Sequence, residues 1–125
     1  MVDDDAACRQ LHELWLADSF SVRTAGDGAT ALSELDGSVA VVVLDREMSG
    51  LSGADVFDRI RQAAHDPAIV VVSGLRPDGS IDADAYLQKP IRRDDLVETV
   101  HELVRNERPP LAGGGRDRRV GQSNR

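Results

Sequence analysis

Four stretches of this chain end in polar residues that can do chemistry. Asp3-Asp4-Asp5 follows Met1-Val2, Asp45 closes the apolar run from Val39 to Leu44, Ser73 closes Ala68 to Val72, and Lys89 follows Ala85 to Gln88. In an open α/β sheet every parallel strand delivers its C-terminal end to the same edge, where ligands bind. Carboxylates, a hydroxyl and an ammonium gathered there suit a divalent cation and a phosphoryl group. Mg²⁺ takes carboxylates, waters and phosphate oxygens, and the hydroxyl and ammonium can take the remaining phosphoryl oxygens. An aspartate can itself attack phosphorus and form an aspartyl phosphate. Such chemistry is mostly positioning and charge stabilisation. Lys89 is the only lysine among fifteen basic residues, so its place at this edge reflects more than composition.

The elements that must position these groups alternate. Residues 6–18 space Cys8, Leu11, Leu14 and Trp15 as a helix face, and Phe20–Ala25 is a short candidate strand before the turn at Gly26-Asp27-Gly28. Ala29–Leu35 reads as a small helix stopped by Gly37. Val39–Leu44 is uniformly apolar and β-branched, as a strand covered on both faces should be. Gly50–Gly53 is a loop, and Val56, Phe57, Ile60 and Ala64 mark the helix after it. Ile69–Val72 and Tyr86–Gln88 are further strands, and residues 93–106 form the clearest helix, with Leu96, Val97, Val100, Leu103 and Val104 as its stripe. Strands alternating with helices predict a parallel, doubly wound sheet.

Composition sets bounds. A chain of 125 residues is one domain with a single core, and 41% apolar content with 3% aromatics makes that core aliphatic. No apolar run approaches a membrane span and no signal segment opens the chain, which predicts no membrane association. A lone Cys8 forms no internal disulfide, so a reduced cytoplasmic protein is the default. Residues 1–106 carry 20 acids and 10 bases, and residues 107–125 carry 2 acids and 5 bases. The acidic body excludes general nucleic-acid binding, which needs a basic footprint. Many aspartates, abundant Arg and one Lys resemble proteins of salt-loving archaea, although a GC-rich genome gives the same Arg bias. The segment 107–125, with Pro109-Pro110, Gly113–Gly115 and scattered Arg, reads as a disordered tail. His12, His65 and His101 lack metal spacing and read as solvated positions.

Taken in order, Val2-Asp3-Asp4-Asp5, Leu44-Asp45-Arg46-Glu47-Met48-Ser49-Gly50-Leu51-Ser52-Gly53, Val72-Ser73-Gly74 and Tyr86-Leu87-Gln88-Lys89-Pro90 resemble the receiver domain of two-component response regulators, in particular those of halophilic archaea. The resemblance covers residues 1–106 and implies a flavodoxin-like, five-stranded parallel sheet of order 2-1-3-4-5. It implies Asp45 as phosphoacceptor, Asp4 as direct Mg²⁺ ligand, Asp3 acting through water, and the Glu47 backbone carbonyl as a further ligand. Sliding the match by one residue would make Asp4 and Asp5 the acidic pair. Ser73 matches the hydroxyl that moves toward the phosphoryl group, Gly74 the small residue beside it, and Tyr86 the aromatic that turns inward. Lys89 matches the lysine that pairs with phosphoryl oxygens, commonly followed by a cis proline, here Pro90.

Departures from the pattern carry their own expectations. Only Met1-Val2 precedes Asp3, so the first strand is truncated, at a cost of several kcal/mol of apolar burial. Fifteen residues separate Ser73 from Lys89, so the fourth helix is a stub or missing. Ser49 stands where the motif usually has Pro, and Arg92 where a capping Ser or Thr is common. The implied function is a single-domain response regulator that catalyses its own aspartyl phosphorylation and dephosphorylation, taking the phosphoryl group from a histidine kinase and signalling to an unidentified protein partner. A receiver fold used only for binding is the alternative. A third reading, a haloacid-dehalogenase-like phosphatase built on Asp3-x-Asp5, Ser73, Lys89 and Asp94-Asp95, leaves the Asp45–Gly53 stretch unexplained.

Overall fold

The computed structural model describes residues 1–105, and the segment read as a disordered tail lies outside the described residues. Its helices and strands run in the order α1 (Ala6–Ala17), α2 (Gly28–Glu34), β1 (Val41–Asp45), α3 (Gly53–Gln62), β2 (Ala68–Ser73), β3 (Ala85–Gln88) and α4 (Arg93–Arg105). The three strands pair in parallel as β1-β2-β3, with Val43 opposite Val70 and Val72 opposite Leu87. Alternate residues of β1 and β2 point to opposite faces. Val42, Leu44, Ile69 and Val71 join Val56, Phe57 and Ile60 of α3 in one core cluster, with Ala31 and Leu32 of α2 against it. Val43, Val70 and Val72 join Leu16 of α1 and Leu96 and Val100 of α4 in the other. A fully apolar strand is therefore what two helix-covered faces demand.

The expected five strands are reduced to three among the described residues. Residues 20–25 form no regular strand, and the first two expected strands survive only as bridges from Val2 to Ala25 and from Val2 to Leu44. Four backbone hydrogen bonds hold that position. Val2 N donates to Val43 O at 2.8 Å, Asp45 N to Val2 O at 2.9 Å, Ala25 N to Met1 O at 3.0 Å and Asp3 N to Ala25 O at 3.1 Å. A single residue thus sits between residue 25 and β1, and it brings Asp3 level with Asp45. Beside it, Met1, Leu16, Val22, Val41, Val43 and Val100 border an apolar cleft of about 450 Å³.

No helix lies between β2 and β3, which agrees with the short spacing from Ser73 to Lys89. Side chains brace this connection instead. Asp84 Oδ2 accepts from Ile69 N at 2.8 Å and from Arg61 at 3.0 Å, and Arg46 reaches Ser80 Oγ at 2.9 Å.

Helix α1 corrects the sequence-based face. Its buried residues are His12 and Leu16, whereas Leu11 and Leu14 are exposed. His12, expected to be solvated, packs against Trp15 with ring centroids 5.1 Å apart. Burial pulls its pKa down, and its Nδ1 has no hydrogen-bond partner, so the neutral ring behaves as a core side chain. Ala64, assigned to the α3 stripe, lies past the helix end and is exposed.

Gly53 opens α3 and fixes how close the preceding loop comes to β1. A Cβ there would lie 2.4 Å from Arg46 Cα and 2.7 Å from the Asp45 carbonyl oxygen, both backbone atoms that cannot swing aside. Gly53→Ala is expected to destabilise the fold by about 1–3 kcal/mol through forced backbone displacement. Urea unfolding of the two proteins side by side measures it.

Candidate functional site

Strand ends assemble the site. Asp45 is the last residue of β1, Ser73 the last of β2, and Lys89 follows β3 directly, while Val2 delivers Asp3 beside them. Asp3 and Asp45 are 1% and 2% exposed and Ser73 is fully buried, so these three polar side chains are all but shut off from solvent. Carboxylate oxygens of Asp3, Asp4 and Asp45 lie within 4.8 Å of one another, with Asp4 open to solvent. Three oxygen donors at that spacing, one of them solvent-facing, suit a hard divalent cation that keeps some of its waters.

Each carboxylate is held differently. Asp3 accepts from Asp5 N at 2.9 Å, and its own carbonyl accepts from Arg9 at 2.8 Å. Asp4 Oδ2 accepts from the backbone N–H of Ser49 at 3.0 Å and from its hydroxyl at 3.1 Å. Those two bonds hold its pKa below the usual carboxylate range. Proline at position 49 would remove both, so Ser49 is a working departure from the usual motif. Asp5 caps α1, accepting from Ala7 N and Cys8 N, which takes it out of the cluster. Asp3 and Asp4, rather than Asp4 and Asp5, therefore face Asp45.

Asp45 Oδ1 accepts from Lys89 Nζ at 3.0 Å and from Glu47 N at 3.2 Å. Burial pushes the Asp45 carboxyl up to about 6; the Lys89 hydrogen bond opposes this, and the Asp3 charge reinforces it. Burial pulls the Lys89 ammonium down, but its hydrogen bond and attraction to Asp45 prevail and hold it above its ordinary value.

The remaining predicted residues are also placed. Glu47, expected to contribute only its backbone carbonyl, turns its side chain inward: Oε2 accepts from Ser73 Oγ and Oε1 from Gly74 N at 2.8 Å. Lys89 and Pro90 are joined by a cis peptide bond. Tyr86 stands apart from the carboxylates, half-buried, with its hydroxyl donating to Leu75 O at 3.0 Å and accepting from Arg46 at 3.4 Å. Asp94 and Asp95 occupy the first turn of α4 and take no part in the cluster. Sequence reasoning missed Arg46, the Glu47 side chain and the Ser49 contact. Their only signal was adjacency to Asp45, which gives no side-chain direction.

A family model described as the response regulator receiver domain matches residues 1–101. A regulator from Haloferax volcanii is 39% identical over 108 residues, covering 83% of this chain and 19% of that protein. The transcriptional regulatory protein CpxR of Escherichia coli is 33% identical over 84% of this chain and 48% of its own length. The chain thus spans half or less of these relatives. Among solved structures, the response regulator TrrA from Thermotoga maritima, determined in complex with Mg²⁺ and BeF, is 34% identical with a TM-score of 0.73, covering 82% of this chain and 94% of that one. A receiver domain from Vibrio parahaemolyticus, 20% identical with a TM-score of 0.76 over 85% of this chain and 88% of that one, shows the fold alone.

The raised Asp45 pKa makes stability depend on pH in a stated sense. The folded state binds this proton more tightly than the unfolded chain, so the stability it contributes is full below about pH 4 and lost as pH rises through 6. Asp45→Asn, which carries no charge, is expected to exceed wild type by about 1–2 kcal/mol at pH 7.5 after discounting for solvent screening. The gap should close toward pH 4. Urea unfolding at both pH values in a metal chelator is the check.

Proposed function

The chain belongs to the response regulator receiver domain family, and from that premise we propose that Asp45 accepts a phosphoryl group with Mg²⁺ bound beside it. The observation that carries this reading is the buried Asp45 carboxylate, set among two further carboxylates and held by the chain's single lysine. Lys89 and Glu47 N both approach Oδ1, which orients the carboxylate and leaves Oδ2 as the attacking oxygen. That oxygen forms a bond to phosphorus as the bond to the donor breaks. The electron pair leaves on the donor, an imidazole nitrogen when the donor is the phosphohistidine of a histidine kinase.

The residues present fit Mg²⁺ by donor chemistry: Asp3, Asp4 and Asp45 would hold it, with the Glu47 backbone carbonyl as a further oxygen ligand. When bound, the ion neutralises the crowded carboxylates and the charge developing on the phosphoryl oxygens. Asp4 would serve as direct ligand and Asp3 would act through water. Ser73 and Gly74 N sit at the neighbouring strand end, where they supply hydrogen bonds to phosphoryl oxygens, and Lys89 supplies the compensating charge.

Phosphorylation changes the charge and hydrogen bonding of this edge, and a partner protein reads the change. In this chain the helix that would follow β2 is absent. The readable surface is therefore the braced connection from Leu75 to Asp84, reached through Ser73 and through Tyr86, which bonds Leu75 O. The acidic body and the Haloferax relative support a high-salt cytoplasm as its setting.

Incubation with acetyl phosphate and Mg²⁺, followed by intact mass measurement, tests the reading. One added phosphoryl group is expected in wild type and none in Asp45→Ala or without Mg²⁺. No addition to folded wild type would overturn it. Mg²⁺ affinity is expected to fall as pH drops below about 6, where Asp45 holds its proton; calorimetric titration at pH 5 and pH 7.5 measures this.

A further inference from the structure

The Glu47 side chain occupies the hydrogen-bond donors that an incoming phosphoryl group needs. Ser73 Oγ donates to Glu47 Oε2, Gly74 N donates to Oε1 at 2.8 Å, and Lys89 Nζ lies 4.0 Å from Oε1. A serine hydroxyl and a backbone N–H each carry one hydrogen, so each serves one strong acceptor at a time. Ser73 Oγ also accepts from Leu75 N at 3.0 Å, which fixes its orientation and directs its hydrogen to Glu47. A hydroxyl, an amide and an ammonium therefore converge on one internal anion next to Asp45.

We infer that the Glu47 carboxylate is an internal competitor for the phosphoryl group, a displaceable anion that must leave Ser73 and Gly74 before a phosphoryl group on Asp45 can bind them. This rests on the reading of Asp45 as phosphoacceptor and adds a residue that sets the rate. Glu47 follows Asp45 by two positions on a loop, and its side chain is 41% exposed, so it can swing into water without disturbing the core. Its negative charge also opposes the approach of an anionic donor. By accepting from Ser73 and Gly74 it ties the end of β2 to the loop that follows Asp45. The unphosphorylated protein thus keeps its switch groups ordered while its acceptor is obstructed.

The experiment compares wild type, Glu47→Gln and Glu47→Ala. Glutamine keeps an acceptor oxygen and removes the charge; alanine removes both. With acetyl phosphate and Mg²⁺, the initial rate of phosphoryl incorporation is expected to rise by about tenfold in Glu47→Ala, as loss of one repelling charge and two competing bonds implies, and by less in Glu47→Gln. Adding Ser73→Ala should erase most of the gain, because the contested donor is then gone. A readout without metal accompanies the rates: the Gly74 amide proton is expected to move upfield in Glu47→Ala, since it no longer donates to a carboxylate. Equal or slower incorporation in both Glu47 variants, or an unmoved Gly74 resonance, would overturn the inference and leave Asp45 as acceptor intact. Failure of wild type and both variants to take up a phosphoryl group would instead remove the Asp45 reading, and this one with it.

Discussion

The 3.0 Å contact between the Lys89 ammonium and Asp45 offsets a charge problem that the fold itself creates. Parallel strands deliver Asp3 and Asp45 to one edge, where both are almost fully buried, and Asp4 completes a trio within 4.8 Å. Burial disfavours the Asp45 charge and the Asp3 charge beside it adds to that, while the Ser49 hydrogen bonds favour the Asp4 charge. One ammonium cannot neutralise three carboxylates, and the Asp45 pKa near 6 reflects burial first, with the Asp3 charge adding to it and Lys89 opposing both. The site therefore stores an unfavourable charge balance that a divalent cation relieves. Asp45 and such an ion would be thermodynamically linked, because a bound divalent cation would keep Asp45 ionised.

A receiver sheet positions its acidic pair through a central strand, yet here Val2 alone bridges to Ala25 and Leu44. The four hydrogen bonds around it suffice to register Asp3 against Asp45, because register needs paired backbone groups more than strand length. Beside Val2 lies the apolar cleft lined by Leu16, Val43 and Val100. Similarly, the link from β2 to β3 dispenses with a helix and relies on Asp84 and Arg46 for bracing. These polar clips are directional, so they can hold a short connection in place without a packed face.

Most of this arrangement was legible in the residues. Val39–Leu44 and Ile69–Val72 read as buried strands because both faces are apolar, and the polar residues that close them, Asp45 and Ser73, marked the site edge of the strands observed at Val41–Asp45 and Ala68–Ser73. The missing helix before β3 followed from chain length alone. What escaped the sequence depended on tertiary direction. The spacing of α1 put Leu11 and Leu14 on its face, whereas the folded helix buries His12 and Leu16, with Leu16 in one cluster with Leu96 and Val100 of α4. Residues 20–25 have strand-like composition but only Val2 as a pairing partner, so they bridge at Ala25 without forming a ladder. The inward turn of Glu47 depends on Ser73 and Gly74, about 26 residues away in sequence, and no local pattern encodes that.

Lys89 is the chain's single lysine, and it sits at the centre of its charge network. Besides the amino terminus, every primary amine available for acylation or amine-directed crosslinking is thus located at one position. Attachment to Asp45 holds that amine protonated, and only an unprotonated amine is nucleophilic. Its labelling rate consequently reports how tightly the carboxylate grips it. Among side chains the molecule thus carries a single amine reporter, addressable without introducing any new residue.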